Sequence, residues 1–169
     1  GLLSGGAFFE DLAKVEAAAT GGLEALRDLV LHAVRFKAEV VAEDEKEAGR
    51  RAILNYGHTI GHGLEAAAGY ALPHGEAVAA GMVAAATLSR DTFGKDLVGL
   101  HGDLLRAAGL PLRVTGIKTD KVLAAMKRDK KRRSDGAHRF VLLRDVGRPE
   151  WGVPVPEDKA RRAIGVVVG

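Results

Sequence analysis

The chain has 169 residues, of which 47% are apolar and 28% charged, and a net charge of +3, the profile of one ordinary globular domain with enough material for a core. Cysteine is absent, which excludes a disulfide framework and a thiolate zinc site and leaves His, Asp and Glu as the only strong metal ligands. No run of eighteen apolar residues occurs, and the N-terminus lacks the basic-then-apolar layout of a signal peptide, so neither membrane nor secretion is indicated and a cytoplasmic protein is expected.

Helical periodicity predicts a mainly α fold, with helices over residues 7–19, 22–42, 50–68, 75–93, 97–108 and 119–129. Gly1 is followed by Leu2 and Leu3 without an initiator Met, and the chain is expected to be part of something longer. In the second helix Leu23, Leu26, Val30, Val34 and Val41 recur every three or four residues as an apolar face, and Gly21-Gly22 marks its start. The fifth is expected to stop at Gly109-Leu110-Pro111, a C-cap glycine followed by a proline that cannot continue a helix. Thr119 reads as the N-cap of the sixth, and Pro156 opens a short last helix. Between them Phe140 to Leu143 and Val153 to Val155 form short apolar runs bounded by Gly and Pro, the pattern of a small β-hairpin. No internal repeat and no linker divides the chain.

Three of the six histidines fall between Arg50 and Met82. On one continuous helix at 100° per residue, Arg51, Asn55, His58 and His62 lie within about 60° of one another, with Ile53, Ile60 and Leu64 opposite. A face turned simply to water would be filled with Lys, Glu and Gln, whereas Asn and two His form helix less readily. Gly57, Gly61 and Gly63 would each cost about 1 kcal/mol against Ala in a helix interior, so close approach of another backbone or a ligand is expected to compensate. His74 follows Pro73 at a turn into the next helix. Alone it would be a cap or surface residue, but with His58 and His62 it becomes a candidate metal ligand. Spacing by itself selects His58 with His62, four residues apart on one face.

The basic excess is concentrated in Lys127 to Arg133. A nucleic-acid module using Lys127, Arg128, Lys130, Lys131, Arg132 and Arg133 would need interleaved aromatics or a reading helix, and neither is present.

Several stretches together resemble the signature of the 3-dehydroquinate synthase family. They are Asp44-Glu45-Lys46-Glu47-Ala48-Gly49-Arg50-Arg51, Leu54-Asn55-Tyr56-Gly57-His58-Thr59-Ile60-Gly61-His62, and His74-Gly75-Glu76 with Gly81-Met82. Lys37 upstream, Asp129-Lys130-Lys131, and the strand Phe140-Val141-Leu142-Leu143 ahead of Gly147 extend the likeness over essentially the whole chain. The resemblance implies the C-terminal, multi-helix domain of a dehydroquinate synthase-like fold, spanning residues 1–169, with the NAD-binding half lying N-terminal and absent from this chain.

It further implies conversion of DAHP, a phosphorylated keto-acid sugar, into 3-dehydroquinate and inorganic phosphate in the shikimate pathway, by a phosphorus–oxygen lyase. NAD and a divalent metal, zinc or cobalt, are the implied cofactors, and a homodimer with neither nucleic-acid nor membrane partners is the implied assembly. A hydroxyl is oxidised transiently to a ketone, the adjacent C–H is thereby acidified, phosphate leaves by β-elimination, and reduction, ring opening and aldol closure follow. Carried over by position, His58 and His74 match metal ligands, His62 a proton relay near the reacting hydroxyl, and Glu47 a substrate-side acid. Asn55 and Lys130, or its neighbour Lys131, match phosphate contacts, while Lys37 and Arg51 match cations for the carboxylate. The family's third metal ligand, a Glu in an Ala-Glu-Val-Val-Lys-like stretch, would precede Gly1. Nothing here offers a strand followed by G-x-G-x-x-G, so the segment alone is expected to be inert. A sister sugar-phosphate cyclase making a cyclitol would share the metal and phosphate residues, and Arg51 and Lys37 weigh for a carboxylate-bearing substrate. A metal-dependent alcohol dehydrogenase would leave Asn55 and Lys130 without a purpose.

Overall fold

The computed structural model describes residues 1–46, 48–130 and 138–169. Its elements in chain order are α1 (Gly6–Glu10), a 3₁₀ turn (Asp11–Lys14), α2 (Val15–Ala19), α3 (Leu23–Glu43), a second 3₁₀ segment (Arg50–Asn55), α4 (His58–Ala67), α5 (His74–Phe93), α6 (Val98–Ala107), α7 (Thr119–Lys130), β1 (Arg139–Asp145), β2 (Arg148–Pro154) and α8 (Glu157–Val167). The mainly α class with one small hairpin follows the sequence pattern.

α5 is the axis of the fold. Ala77, Ala79, Ala80, Gly81, Val83, Ala84, Ala85, Ala86 and Leu88 are all buried, as expected of a helix apolar on every side. α4, α6, α8 and β1 pack around it, and α7 lies on the far side of α4. Small residues set the spacing. A Cβ on Gly81 would fall 2.1 Å from the carbonyl oxygen of Gly57, and one on Gly61 3.2 Å from the Cα of Val78, so the α4 and α5 backbones touch where these glycines stand. Gly63 meets Met126 and Val122 of α7 in the same way. Close approach therefore compensates for glycine in α4, as its sequence suggests.

The hairpin is antiparallel and irregular, with register shifts between Phe140 and Leu142 and between Leu143 and Asp145. Phe140, Val141, Leu142 and Leu143 are nevertheless all buried, so β1 is covered on both faces, unlike a strand with one side turned to water. β1 is fastened to α5 by Ser89, whose Oγ donates to Ala85 O at 2.9 Å and accepts the Leu143 N–H at 2.9 Å.

Three expectations are corrected. The helix over 7–19 is two short α segments joined by a 3₁₀ turn. The helix over 50–68 is interrupted: a 3₁₀ segment ends at Asn55, Gly57 takes φ 80°, and α4 begins at His58. Gly57 is thus the left-handed residue of a break, a conformation open to glycine without steric cost, and the four polar residues do not share one continuous helix. The apolar face of the second helix is not in the core. Within α3 only Val40 is buried, while Leu23 is 78%, Leu26 46%, Val30 49% and Val34 59% exposed. An amphipathic pattern records which face must be covered, and among the described residues nothing covers this one. The stop after α6 is as expected, with Gly109 at φ 71° and the Leu110 N–H donating to Leu105 O.

Candidate functional site

The break at Tyr56-Gly57 makes His58 the first residue of α4, and His62 follows one turn later. The connection through Gly69 and Tyr70, both at φ 63°, turns the chain back so that His74, the first residue of α5, comes to lie over them. The three rings cluster: centroids are 5.3 Å apart for His58 and His74, 5.4 Å for His58 and His62, and 6.0 Å for His62 and His74. His74, remote in sequence from the pair on α4, is therefore part of one imidazole group.

The three rings are not held alike. His58 Nδ1 is 3.1 Å from the carbonyl oxygen of Tyr56, and His74 Nδ1 is 3.0 Å from Glu65 Oε1. Both partners are acceptors, so each Nδ1 carries the proton and each Nε2 keeps its lone pair, an assignment made from hydrogen-bond partners. His62 makes no such bond among the described residues. Burial, with smaller contributions from His62 and His74, pushes the His58 pKa below the ordinary imidazole value, so that ring is neutral at neutral pH. Ligand atoms of His62, Glu65 and His74 also lie within 4.8 Å of one another, which makes a second grouping geometrically possible.

Two helix N-termini open onto this cluster. α4 starts after Gly57 and α5 after Pro73, and neither has a side-chain cap. Uncapped first-turn N–H groups and the positive end of the helix dipole favour an anion there.

The remaining predicted residues are placed less closely. Arg51 and Asn55 stand at either end of the 3₁₀ segment before the break; the Arg51 guanidinium donates to the carbonyl oxygen of Glu45 at 2.7 Å, and Asn55 is exposed. Lys37 is exposed on α3, one turn before the buried Val40, and α3 packs on the 3₁₀ segment. Glu47 and Lys131 lie outside the described residues, as does the side chain of Lys130, whose backbone ends α7.

Sequence reasoning assigned no role to Glu65, Asp44 or the buried pair Tyr56 and His101. Asp44 closes the loop before the 3₁₀ segment, accepting the N–H groups of Ala48 at 2.9 Å, Gly49 at 2.8 Å and Arg51 at 2.9 Å. Those bonds, that from Arg51 foremost, hold its carboxyl below the usual range. An Asp ahead of a short irregular loop is the available sequence signal for this. The Tyr56 hydroxyl donates to His101 Nε2 at 2.8 Å and His101 Nδ1 donates to Leu97 O at 2.7 Å, with both side chains inside the core. Burial pushes the tyrosine pKa up and the histidine pKa down. This pair ties the break that aims His58 to the start of α6, and only tertiary contact reveals it, since the two residues are 45 positions apart.

A helical domain that closes three imidazoles around two bare helix N-termini defines the class. The chain belongs to the 3-dehydroquinate synthase family: the family described as 3-dehydroquinate synthase C-terminal matches residues 1–132. Among curated relatives, the 3-dehydroquinate synthase of Halorhodospira halophila is 48% identical over 151 residues, which cover 87% of this chain and 42% of that protein. That of Gloeobacter violaceus is 38% identical over 173 residues, covering 100% of this chain and 48% of the relative. The chain thus spans less than half the length of these relatives. A crystal structure of a 2-deoxy-scyllo-inosose synthase complexed with carbaglucose-6-phosphate, NAD+ and Co2+ is 28% identical, with a TM-score of 0.71 over 83% of this chain and 41% of that one. The fold also matches ValA, a 2-epi-5-epi-valiolone synthase from Streptomyces hygroscopicus with NAD+ and Zn2+ bound, at a TM-score of 0.77 and 24% identity, covering 96% of this chain and 47% of that one.

Proposed function

We propose that this chain is the C-terminal metal- and substrate-binding domain of a 3-dehydroquinate synthase, acting with an NAD-binding N-terminal half on DAHP to give 3-dehydroquinate and phosphate. The observation that carries the reading is the unequal anchoring of the three imidazoles. His58 and His74 have Nδ1 fixed by an acceptor and Nε2 left open, the state in which a histidine ligates a metal. His62 sits beside them without a fixed partner among the described residues, as a group that must gain and lose a proton requires.

The donor set suits a zinc or cobalt ion, since imidazole nitrogen is a preferred ligand for both. His58 and His74 would hold it, with a third ligand from the N-terminal half. Such an ion supplies polarisation of a substrate hydroxyl, and NAD, bound by that half, supplies the transient oxidation. The chain's own residues do the rest. His62 takes up the hydroxyl proton and returns it. The first-turn N–H groups of α4 and α5, with Asn55 and Lys130, receive the phosphate. Arg51 and Lys37 pair with the carboxylate, and Glu47 stands on the substrate side as an acid. This reading carries a homodimer in the cytoplasm.

The test is made with the N-terminal half joined to the chain, where NAD-dependent release of phosphate from DAHP is expected. After dialysis His58→Ala and His74→Ala should each be metal-free, while His62→Ala should keep its metal and lose at least about 100-fold in turnover, the usual scale of acid–base catalysis. A metal-free His62→Ala protein beside a metal-replete His58→Ala protein would instead select the His62, Glu65 and His74 grouping. The likeness to 2-deoxy-scyllo-inosose synthase favours a second reading, a cyclase acting on a neutral sugar phosphate. Turnover of a hexose phosphate in place of DAHP would establish it.

A further inference from the structure

Glu65 has no role in the proposed reaction, yet it is far more enclosed than the histidine it contacts. Its side chain is 14% exposed, against 59% for His74, with which it shares a 3.0 Å contact from Oε1 to Nδ1. It stands one turn after His62 and two turns after His58 on α4, so all three project from one face. Its backbone matters as well, because the carbonyl oxygen of Glu65 accepts the Tyr70 N–H at 2.8 Å and so fixes the turn that brings α5 back. One residue therefore references both the path of the connection and the rotation of the imidazole at its end.

We propose that Glu65 is the positioning residue of His74: its carboxylate holds the ring with the proton on Nδ1 and presents the Nε2 lone pair to the site. Without it the exposed ring, at the end of a six-residue connection, would rotate freely and exchange tautomers. With it, rotation and tautomer are set before any ion arrives. An acceptor on Nδ1 also fixes the orientation in which Nε2 meets an ion. His58 obtains the same fixation from a backbone carbonyl, which no substitution removes, so Glu65 is the point at which side-chain chemistry controls the pair. The consequence for metal affinity rests on His74 being a ligand, whereas the hold on the ring does not.

The experiment uses the 169-residue chain and two readouts. Ring-nitrogen NMR at pH about 8, above the ordinary imidazole range, reports the tautomer of each histidine. His74 is expected in the Nδ1–H form in the parent chain and in Glu65→Gln, whose amide oxygen still accepts, and in the mixed state of a free imidazole in Glu65→Ala. Competition with a chelator for Co2+ alone should show binding weakened about 10- to 100-fold in Glu65→Ala and less in Glu65→Gln, with the thermal midpoint of the metal-free chain unchanged. A His74 tautomer indifferent to Glu65→Ala overturns the proposal. So does loss of Co2+ by both variants to an equal extent, which would make Glu65 itself a ligand. A tautomer that responds in a chain whose Co2+ binding does not depend on His58 or His74 upholds the hold of Glu65 on the ring and overturns the metal reading instead.

Discussion

α5 and α3 are nearly the same length, 20 and 21 residues, and both carry long series of apolar side chains, yet one is enclosed on all sides and the other is largely bare. The difference lies in side-chain size. Between Ala77 and Ala86 α5 is built mostly of Ala and Gly, so neighbouring backbones reach it and every face finds a partner. α3 carries Leu23, Leu26, Val30, Leu31 and Val34 on a face that stands exposed among the described residues. A helix becomes an axis through what it lacks, and an apolar row alone does not supply the surface that would bury it.

The sharpest way to break this comparison is to add one methyl group to α5. Gly81→Ala would place a Cβ against the Gly57 carbonyl oxygen and the Gly61 nitrogen, backbone atoms that cannot turn aside. A loss of about 3 kcal/mol is expected in a urea titration, at the upper end of overpacking costs, together with disturbance of the break that starts α4. Gly165→Ala in α8 has open space around its Cβ and should instead gain about 0.5–1 kcal/mol from helix propensity. Equal responses at the two positions would show that the close crossing is not what fixes α5.

A smaller effect is expected at the buried pair beside the crossing. Tyr56→Phe leaves His101 Nε2 without its donor inside the core, a cost of about 1–3 kcal/mol. The same histidine makes stability depend on pH. Its folded-state pKa lies below the ordinary imidazole value of 6.5 because burial disfavours the charged ring. Between those two values the unfolded chain binds a proton that the folded chain does not, so stability is full above about pH 6.5 and falls as pH drops toward the folded value. His101→Gln should make thermal midpoints between pH 7 and pH 5 less steep. An unchanged slope would mean that His101 does not titrate in this window.

The smallest change is expected on α3. Leu26→Lys and Val34→Lys, at exposed positions with good helix propensity, should alter the stability of this chain by no more than about 0.5 kcal/mol. A loss well above 1 kcal/mol would show the row to be covered in solution and would remove the contrast with α5.

The sequence by itself determined the mainly α class, the hairpin, the stop after α6 and the concentration of chemistry between Arg50 and Met82, because local propensity, glycine and proline punctuation and residue type are written along the chain. It also carried the family, since the motifs around His58, His62 and His74 are specific. Tertiary structure decided what depends on contact across distance. The helix breaks at Tyr56-Gly57 because a left-handed residue there lets α5 approach, and a period of 3.6 is blind to that approach. The α3 row is exposed because periodicity names a face and not its partner. Glu65, lost in sequence among ordinary helix-forming residues, becomes the neighbour of His74 only when the 68–73 connection folds back. The difference between an anchored and an unanchored histidine is a difference in hydrogen-bond partners, and partners are set by the fold.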